Sequence, residues 1–351
     1  MTFPTRPIGK TSLQVPVLGF GTAPLGGMYE AVDGEEGTAT LAAGIAAGMT
    51  YIDTAPFYGY GLAERRVGDT LRALDRDQEP ERCVISTKVG RLLEPGKVID
   101  PGAQDWPAAL PFHPVYDYSY DAIMRSFDHS LQRMGVDRID ILFVHDIGTL
   151  THGDEDNARH IHDLERGGYR ALDELRRGGQ VQAIGLGVNE AQACLDALMM
   201  GEWDAFLLAG RYTLLEQAPL YDLLPACEAA GTSIIIGGAF NSGIMVGGET
   251  WNYAAAPDTV RQRVHRLAEV CAAHAVPLPA AALQFPLAHS AVASVLPGVR
   301  SRAELAETLS WVQMPIPVEL WEALRQASLI HPQAPTPTTS ISPYLSPSDK
   351  P

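Results

Sequence analysis

The sequence predicts an α/β protein folded as a closed (β/α)8 barrel of the TIM type, with an N-terminal hairpin and long loops on its C-terminal face. Two observations carry this. Eight short, nearly continuous apolar runs recur along the chain, and segments with apolar residues at three-to-four spacing lie between them. Apolar runs without polar alternation suit parallel strands covered on the outside by helices. Eight strand–helix units point to closure into a barrel, with a doubly wound open sheet as the alternative.

The first residues, 6-RPIGKTSLQVPVLGFG-21, read as a hairpin turning at Gly9-Lys10 and plugging the barrel bottom. The strands follow as 17-VLGF-20, 49-MTYID-53, 83-CVISTKV-89, 139-IDILFVHD-146, 181-VQAIGLG-187, 203-WDAFLLA-209, 232-TSIIIGG-238 and 292-VASVLPG-298. Helices are expected over 36–48, 119–135 and 159–178, several of them stopping on glycine as a C-terminal cap does. Residues 91–118 form a Pro- and aromatic-rich insertion after strand three, and residues 239–257 another after strand seven. Both follow strand ends, on the face where barrel active sites sit. Residues 1–330 make one barrel domain, and the Pro/Ser/Thr-rich stretch 331–351 is expected to be an extended, loosely ordered tail.

Composition narrows the class. The chain has 351 residues, 46% hydrophobic and 19% charged, with a formal charge of −16. That charge argues against nucleic acid or an anionic membrane surface as the main partner. No stretch has the length of a signal-peptide core or a membrane span. Cys83, Cys194, Cys227 and Cys271 lack CxxC spacing and sit among apolar residues, as free thiols in a reducing cytoplasm would. Nothing in the sequence specifies an oligomer.

Several motifs fail on inspection. The GKT at 9–11 is no phosphate loop, because Pro4 stands where the first glycine is needed. 185-GLGVNE-190 lacks the third glycine of a dinucleotide fingerprint. In 151-THGDEDNARHIHD-163, His152, His160 and His162 lack the spacing of a one-face metal site, so no metal is expected.

What remains is a set of polar groups at strand ends. Asp53 ends strand two, Lys88 strand three and His145 strand four, while Tyr58 lies in the loop after Asp53. Neighbouring barrel strands place these ends side by side on one face. Each alone has a bland reading as a solvated aspartate, a snorkelling lysine, a core histidine or a packed tyrosine. Together they make an acid/base site: a lysine held by a carboxylate keeps its charge and would lower the tyrosine pKa from about 10.

With these residues on the page, the chain resembles the aldo-keto reductases from about residue 6 to 313. The resemblance rests on GFGT at 19–22, DTAxxYGxGxxE at 53–64, STKVG at 86–90, SLQRMGVDRIDILFVH at 130–145 and LPGVRS at 296–301. It implies a catalytic tetrad of Asp53, Tyr58, Lys88 and His145. Segments 143–148, 208–217 and 237–245 are most similar to bacterial aldose (L-fucose or D-threo-aldose) dehydrogenases and pyridoxal 4-dehydrogenases. The implied reaction is NAD(P)-dependent oxidation of a cyclic hemiacetal to its lactone. Oxidation of pyridoxal, NADPH-dependent aldehyde reduction, or a non-catalytic dinucleotide-sensing subunit are the alternatives. The resemblance places a nicotinamide dinucleotide against Gly21, Thr22 and Asp53, with the pyrophosphate under Asn241, Ser242 and Gly243. Adenosine would lie along Gly298, Val299, Arg300 and Glu304. Glu304 stands where NADPH-dependent members carry a cation, which implies NAD⁺, with NADP⁺ possible through Arg300 and Arg302. Asn189 and Phe240 are expected at the nicotinamide, and Tyr29, Phe57 and Trp106 at the substrate.

Overall fold

The computed structural model describes residues 2–75, 83–96 and 106–345; positions 97–105 of the first insertion and the end of the tail lie outside them. Eight parallel strands form one sheet: β1 (Phe20–Gly21), β2 (Tyr51–Asp53), β3 (Val84–Val89), β4 (Ile141–His145), β5 (Ala183–Val188), β6 (Ala205–Ala209), β7 (Ser233–Gly237) and β8 (Val292–Leu296). Each pairs with its sequence neighbours, and parallel bridges Leu18–Val295 and Gly21–Gly298 close β1 onto β8. The sheet is a barrel, not an open doubly wound sheet.

Helices cover the outside. The helix Tyr120–Met134 starts where the Ser119 hydroxyl accepts from the Ala122 N–H and stops at Gly135 in the left-handed region, as its flanking residues predict. The expected helix over 159–178 begins earlier, at Thr149, and bends at Gly153. Two apolar layers result. Leu41, Ile123, Phe127, Leu172 and Leu224 are among the residues packed between barrel and helices. Ile141, Phe143, Ile235 and Ala293 fill the barrel interior together with Ile8, Leu13 and Val15. The latter three belong to the N-terminal hairpin, whose strands Thr5–Pro7 and Gln14–Pro16 pair antiparallel, so the hairpin plugs the bottom.

The insertion after β3 is a two-stranded ribbon, Arg91–Pro95 against Phe112–Tyr116. The segment after β7 winds through Asn241–Val246 and then forms a small hairpin, Thr250–Trp251 with Ala254–Ala255. Residues 331–345 correct the expectation of a loose tail. Tyr344 is fully buried, its hydroxyl donates to the Leu283 carbonyl at 2.8 Å, and its ring meets Phe3 edge-on. One large aromatic anchors a run whose composition otherwise reads as disordered. No single helix among the described residues is long and apolar enough to cross a membrane.

Candidate active site

Register brings the strand ends together. Asp53 on β2 lies opposite Ser86 on β3, and His145 on β4 lies opposite Gly187 on β5. Side chains alternate along a strand, so Ser86 and Lys88 share the inner face while Thr87 faces outward. Inside, the Ser86 hydroxyl donates to Asp53 Oδ1 at 2.7 Å and the Lys88 ammonium to Asp53 Oδ2 at 2.7 Å and to the Thr54 carbonyl at 3.0 Å. Outside, Thr87 donates to the buried Glu64 carboxylate at 2.7 Å, and Glu64 also pairs with Arg133. The glutamate that ends the DTAxxYGxGxxE motif therefore ties two helices to β3. Gly187 has no side chain because a Cβ there would come within 3.1 Å of Lys88 Cε.

Tyr58 is carried back over the Lys88–Asp53 pair by the following turn. Gly59 has φ of +62°, and a Cβ on it would meet the Gly26 carbonyl oxygen at 2.3 Å, so two glycine backbones pack directly and hold the turn. The Lys88 ammonium lies 4.8 Å from the centre of the Tyr58 ring. His145 meets Tyr58 edge-on with centroids 6.0 Å apart. Asp53, Tyr58, Lys88 and His145 thus stand together at the ends of β2, β3 and β4.

The walls are aromatic. Trp106 stacks on Tyr58 at 5.9 Å, and Phe57 meets both Trp106 and His145 edge-on. Tyr29, expected here, is 42% exposed. The short turn Pro24–Gly26 ends at Gly27 with φ of +87°, which sends the chain to the surface.

The electrostatics correct one expectation. The Tyr58 phenol is pushed well above its ordinary pKa, chiefly by burial and then by the charges of Asp53 and Asp146, with Arg91 opposing. Lys88 is engaged by Asp53 and faces the ring, so it does not bring the phenol down. Burial, with Arg91 and Lys88 nearby, holds the His145 imidazole well below its ordinary value and so neutral. Burial also raises the Asp53 carboxyl against the opposing pull of Lys88 and Ser86.

Two residues that the sequence reading missed complete the pocket. Arg91 is buried, with its guanidinium 4.0 Å from the centre of the Phe57 ring, and it pairs with Asp146. The Asp146 carboxylate lies 3.5 Å from His145 Nε2. Their signal was positional: Asp146 follows His145, and Arg91 follows the STKVG motif. His152 and His160, which seemed wrongly spaced, have rings 4.4 Å apart packed on Tyr116 and Tyr118, because the helix bends between them.

The cofactor positions divide. Gly21 and Gly298 bridge the seam of the barrel, Val299 is buried beside it, and the Thr22 hydroxyl donates to the Asp53 carbonyl at 2.9 Å. Phe240 turns its ring onto Trp311, 5.8 Å away, and is partly buried against the outer apolar layer. Asn189 accepts from the Tyr253 hydroxyl at 3.5 Å, bringing the β7 hairpin across to the end of β5. The Asn241 amide donates to Gly210 and Glu216, while its buried Oδ1 has no hydrogen-bond partner among the described residues. Ser242 is bound by Thr250 and Tyr253, and a Cβ on the neighbouring Gly243 would come no closer than 4.0 Å to Thr250 Oγ1. An unmet acceptor beside an open glycine fits a dinucleotide, which brings ribose hydroxyl donors and needs close backbone approach. Arg300 is held by Glu304 (2.7 Å) and Glu30 (2.8 Å), and Arg302 by Glu36 (2.8 Å). Both arginines are thus already paired with carboxylates.

Comparison with known proteins agrees with this geometry. The profile of the Aldo/keto reductase family matches residues 17–328. The chain is 47% identical over 339 residues to the pyridoxal 4-dehydrogenase of Microbacterium luteolum, covering 93% of this chain and 97% of that one. It is 37% identical over 335 residues to the D-threo-aldose 1-dehydrogenase of a Pseudomonas species, covering 93% and 96%. Among solved structures, it superposes on an aldo-keto reductase, AKR11C1 from Bacillus halodurans, with a TM-score of 0.72 over 94% of this chain and 97% of that one, at 23% identity.

Proposed function

Since the chain belongs to the aldo/keto reductase family and is an NAD(P)-dependent oxidoreductase, we propose that it oxidises a flat, aromatic cyclic hemiacetal of the pyridoxal type to its lactone. The observation that carries the substrate class is the pocket wall: Phe57, Tyr58 and Trp106 offer rings on which a planar substrate stacks, with a buried cation, Arg91, beside them. An aldose would call for several hydroxyl partners instead.

A bound nicotinamide dinucleotide would supply the hydride acceptor for the hemiacetal carbon. Asn241, Gly243 and Asn189 are the groups that would hold it. The chain supplies the rest. Tyr58 Oη meets the hemiacetal oxygen and takes its proton in oxidation, and the neutral His145 orients the same oxygen through Nε2. Lys88 packs its ammonium against the Tyr58 ring and holds the phenol in place, and Asp53 and Ser86 fix Lys88 there in turn. Trp106 and Phe57 exclude water from one side. A second reading, aldehyde reduction with NADPH, has one point in its favour: a phenol held protonated is ready to donate.

The test is a substrate panel. With NAD⁺, kcat/KM for pyridoxal is expected to exceed that for L-fucose and other aldoses by about 100-fold or more, since unmatched hydroxyls and lost stacking both count against a sugar. Turnover of aldoses at equal or higher kcat/KM would transfer the reading to the sugar class, and no NAD(P)⁺ reduction with any hemiacetal would remove it. Cofactor preference has its own test. Glu304→Arg releases Arg300 from one of its two carboxylates and adds a cation, so kcat/KM for NADP⁺ relative to NAD⁺ should rise about 10- to 100-fold, the worth of one charge-assisted hydrogen bond. An unchanged ratio would mean that Glu304 does not face the adenosine ribose. The four buried free cysteines support a reducing compartment such as the cytoplasm.

A further inference from the structure

The pocket holds two buried ion pairs, and the reaction as described uses one. Lys88–Asp53 stands behind Tyr58. Arg91–Asp146 stands beside His145 and has no part in moving hydride or proton. A structural account is available: the pair ties the first strand of the ribbon after β3 to the end of β4. It leaves three features unexplained. Asp146 adopts a left-handed backbone, with φ of +47°, held by its N–H donating to the Gly187 carbonyl at 2.9 Å. A non-glycine residue in that region costs energy and tends to be kept where a side chain must be aimed. The aim here puts the carboxylate 3.5 Å from His145 Nε2, the atom that meets the reacting oxygen. Arg91, only 4% exposed, lies between the faces of Phe57 and Tyr116, and its Nε is buried with no hydrogen-bond partner among the described residues. Burying a charged pair is costly unless each member makes further bonds.

We propose that the Arg91–Asp146 pair is the subsite that reads a second substrate hydroxyl, the one nearest to the hemiacetal hydroxyl itself. In pyridoxal this is the ring phenol, and in an aldose the 2-hydroxyl. The assignment rests on the hemiacetal reading above. The chemistry serves either source: Asp146 accepts from a hydroxyl, and Arg91 donates to a phenolate. With the first oxygen at Tyr58 and His145, a substrate bearing a neighbouring oxygen is held at two points and presents one face only. The cation lies against Phe57, a wall on which a ring would stack, so the second oxygen is met at the ring's own edge.

The experiment uses the full chain and two matched pairs: pyridoxal with 3-deoxypyridoxal, and L-fucose with 2-deoxy-L-fucose. Dissociation constants are read by calorimetry, and kcat/KM with NAD⁺ is read in parallel. The wild-type chain should favour the oxygen-bearing member of one pair by about 30-fold or more, and that pair identifies the source. In Asp146→Asn the ratio should fall to about threefold or less, while Asp146→Glu recovers part of it. A purely structural role would depress both members of a pair together and leave their ratio intact. Arg91→Lys, which keeps the charge on Asp146 but loses the planar donor, provides the same ratio should Asp146→Asn fail to fold. Binding selectivity without any turnover would overturn the hemiacetal reaction and leave the subsite standing. A wild-type ratio near one in both pairs, a ratio unchanged by Asp146→Asn, or no binding of any of the four would overturn the subsite.

Discussion

Tyr58→Phe should lower kcat for hemiacetal oxidation by about 10³-fold while leaving dinucleotide binding within a factor of two, because it deletes one oxygen and keeps the ring that Trp106 stacks on. The phenol is the group placed over the lysine pair, edge-on to His145. Its raised pKa adds a second signature. Oxidation needs the phenolate, which is scarce at neutral pH when burial and two carboxylates hold the proton on. The wild-type rate should therefore climb with pH at a slope near one over about pH 7 to 9, and the Phe variant should lose that slope. His145 contributes no competing limb there, since its imidazole is neutral throughout. Steady-state rates across that range check both statements. A variant that kept more than about a tenth of the activity, with the slope unchanged, would assign the proton to another group.

Lys88→Met is expected to produce the largest loss of stability of any single change at the site. Lys88 and Asp53 are both almost wholly buried, and removing one partner strands the other's charge, at a cost of about 3–5 kcal/mol. Asp53 has one escape, which is to take up a proton. A carboxyl whose folded pKa lies above its unfolded one gives stability that is present at low pH and lost as pH rises, so the deficit should deepen between about pH 5 and 8. Urea unfolding at both ends of that range measures it. The double variant Lys88→Met with Asp53→Asn removes the stranded charge and should recover at least half of the loss at pH 8. A deficit below about 1 kcal/mol at pH 8 would mean that the pair carries little charge in the native protein.

The barrel was legible because its strands are buried on both faces, so their apolar runs stand out without any knowledge of neighbours. The cluster at the strand ends was legible for the converse reason. Asp53, Lys88 and His145 are charged or titratable groups at the ends of such runs, and neighbouring strands set those ends side by side. Loop residues were harder. Phe240 sets its ring against Trp311 and Tyr29 is exposed, and residue type alone fixes neither placement. Sequence distance hid other facts. Arg91 and Asp146 are 55 positions apart and meet only because β3 and β4 are neighbours. Tyr344 looked like part of a disordered tail until its hydroxyl found the Leu283 carbonyl.

The sequence by itself determined the architecture and the polar groups at the strand ends, because hydrophobic period and strand-end polarity are local properties that survive any choice of neighbours. The tertiary structure alone decided the state of Tyr58. Whether a lysine lowers a nearby phenol depends on where its charge is spent, and Lys88 spends it on Asp53 and Thr54. It also decided that the two arginines of the β8 loop are already met by Glu30, Glu36 and Glu304, and that a second ion pair flanks His145. These are matters of distance and direction between side chains far apart in the chain, which burial turns into energies large enough to set the chemistry.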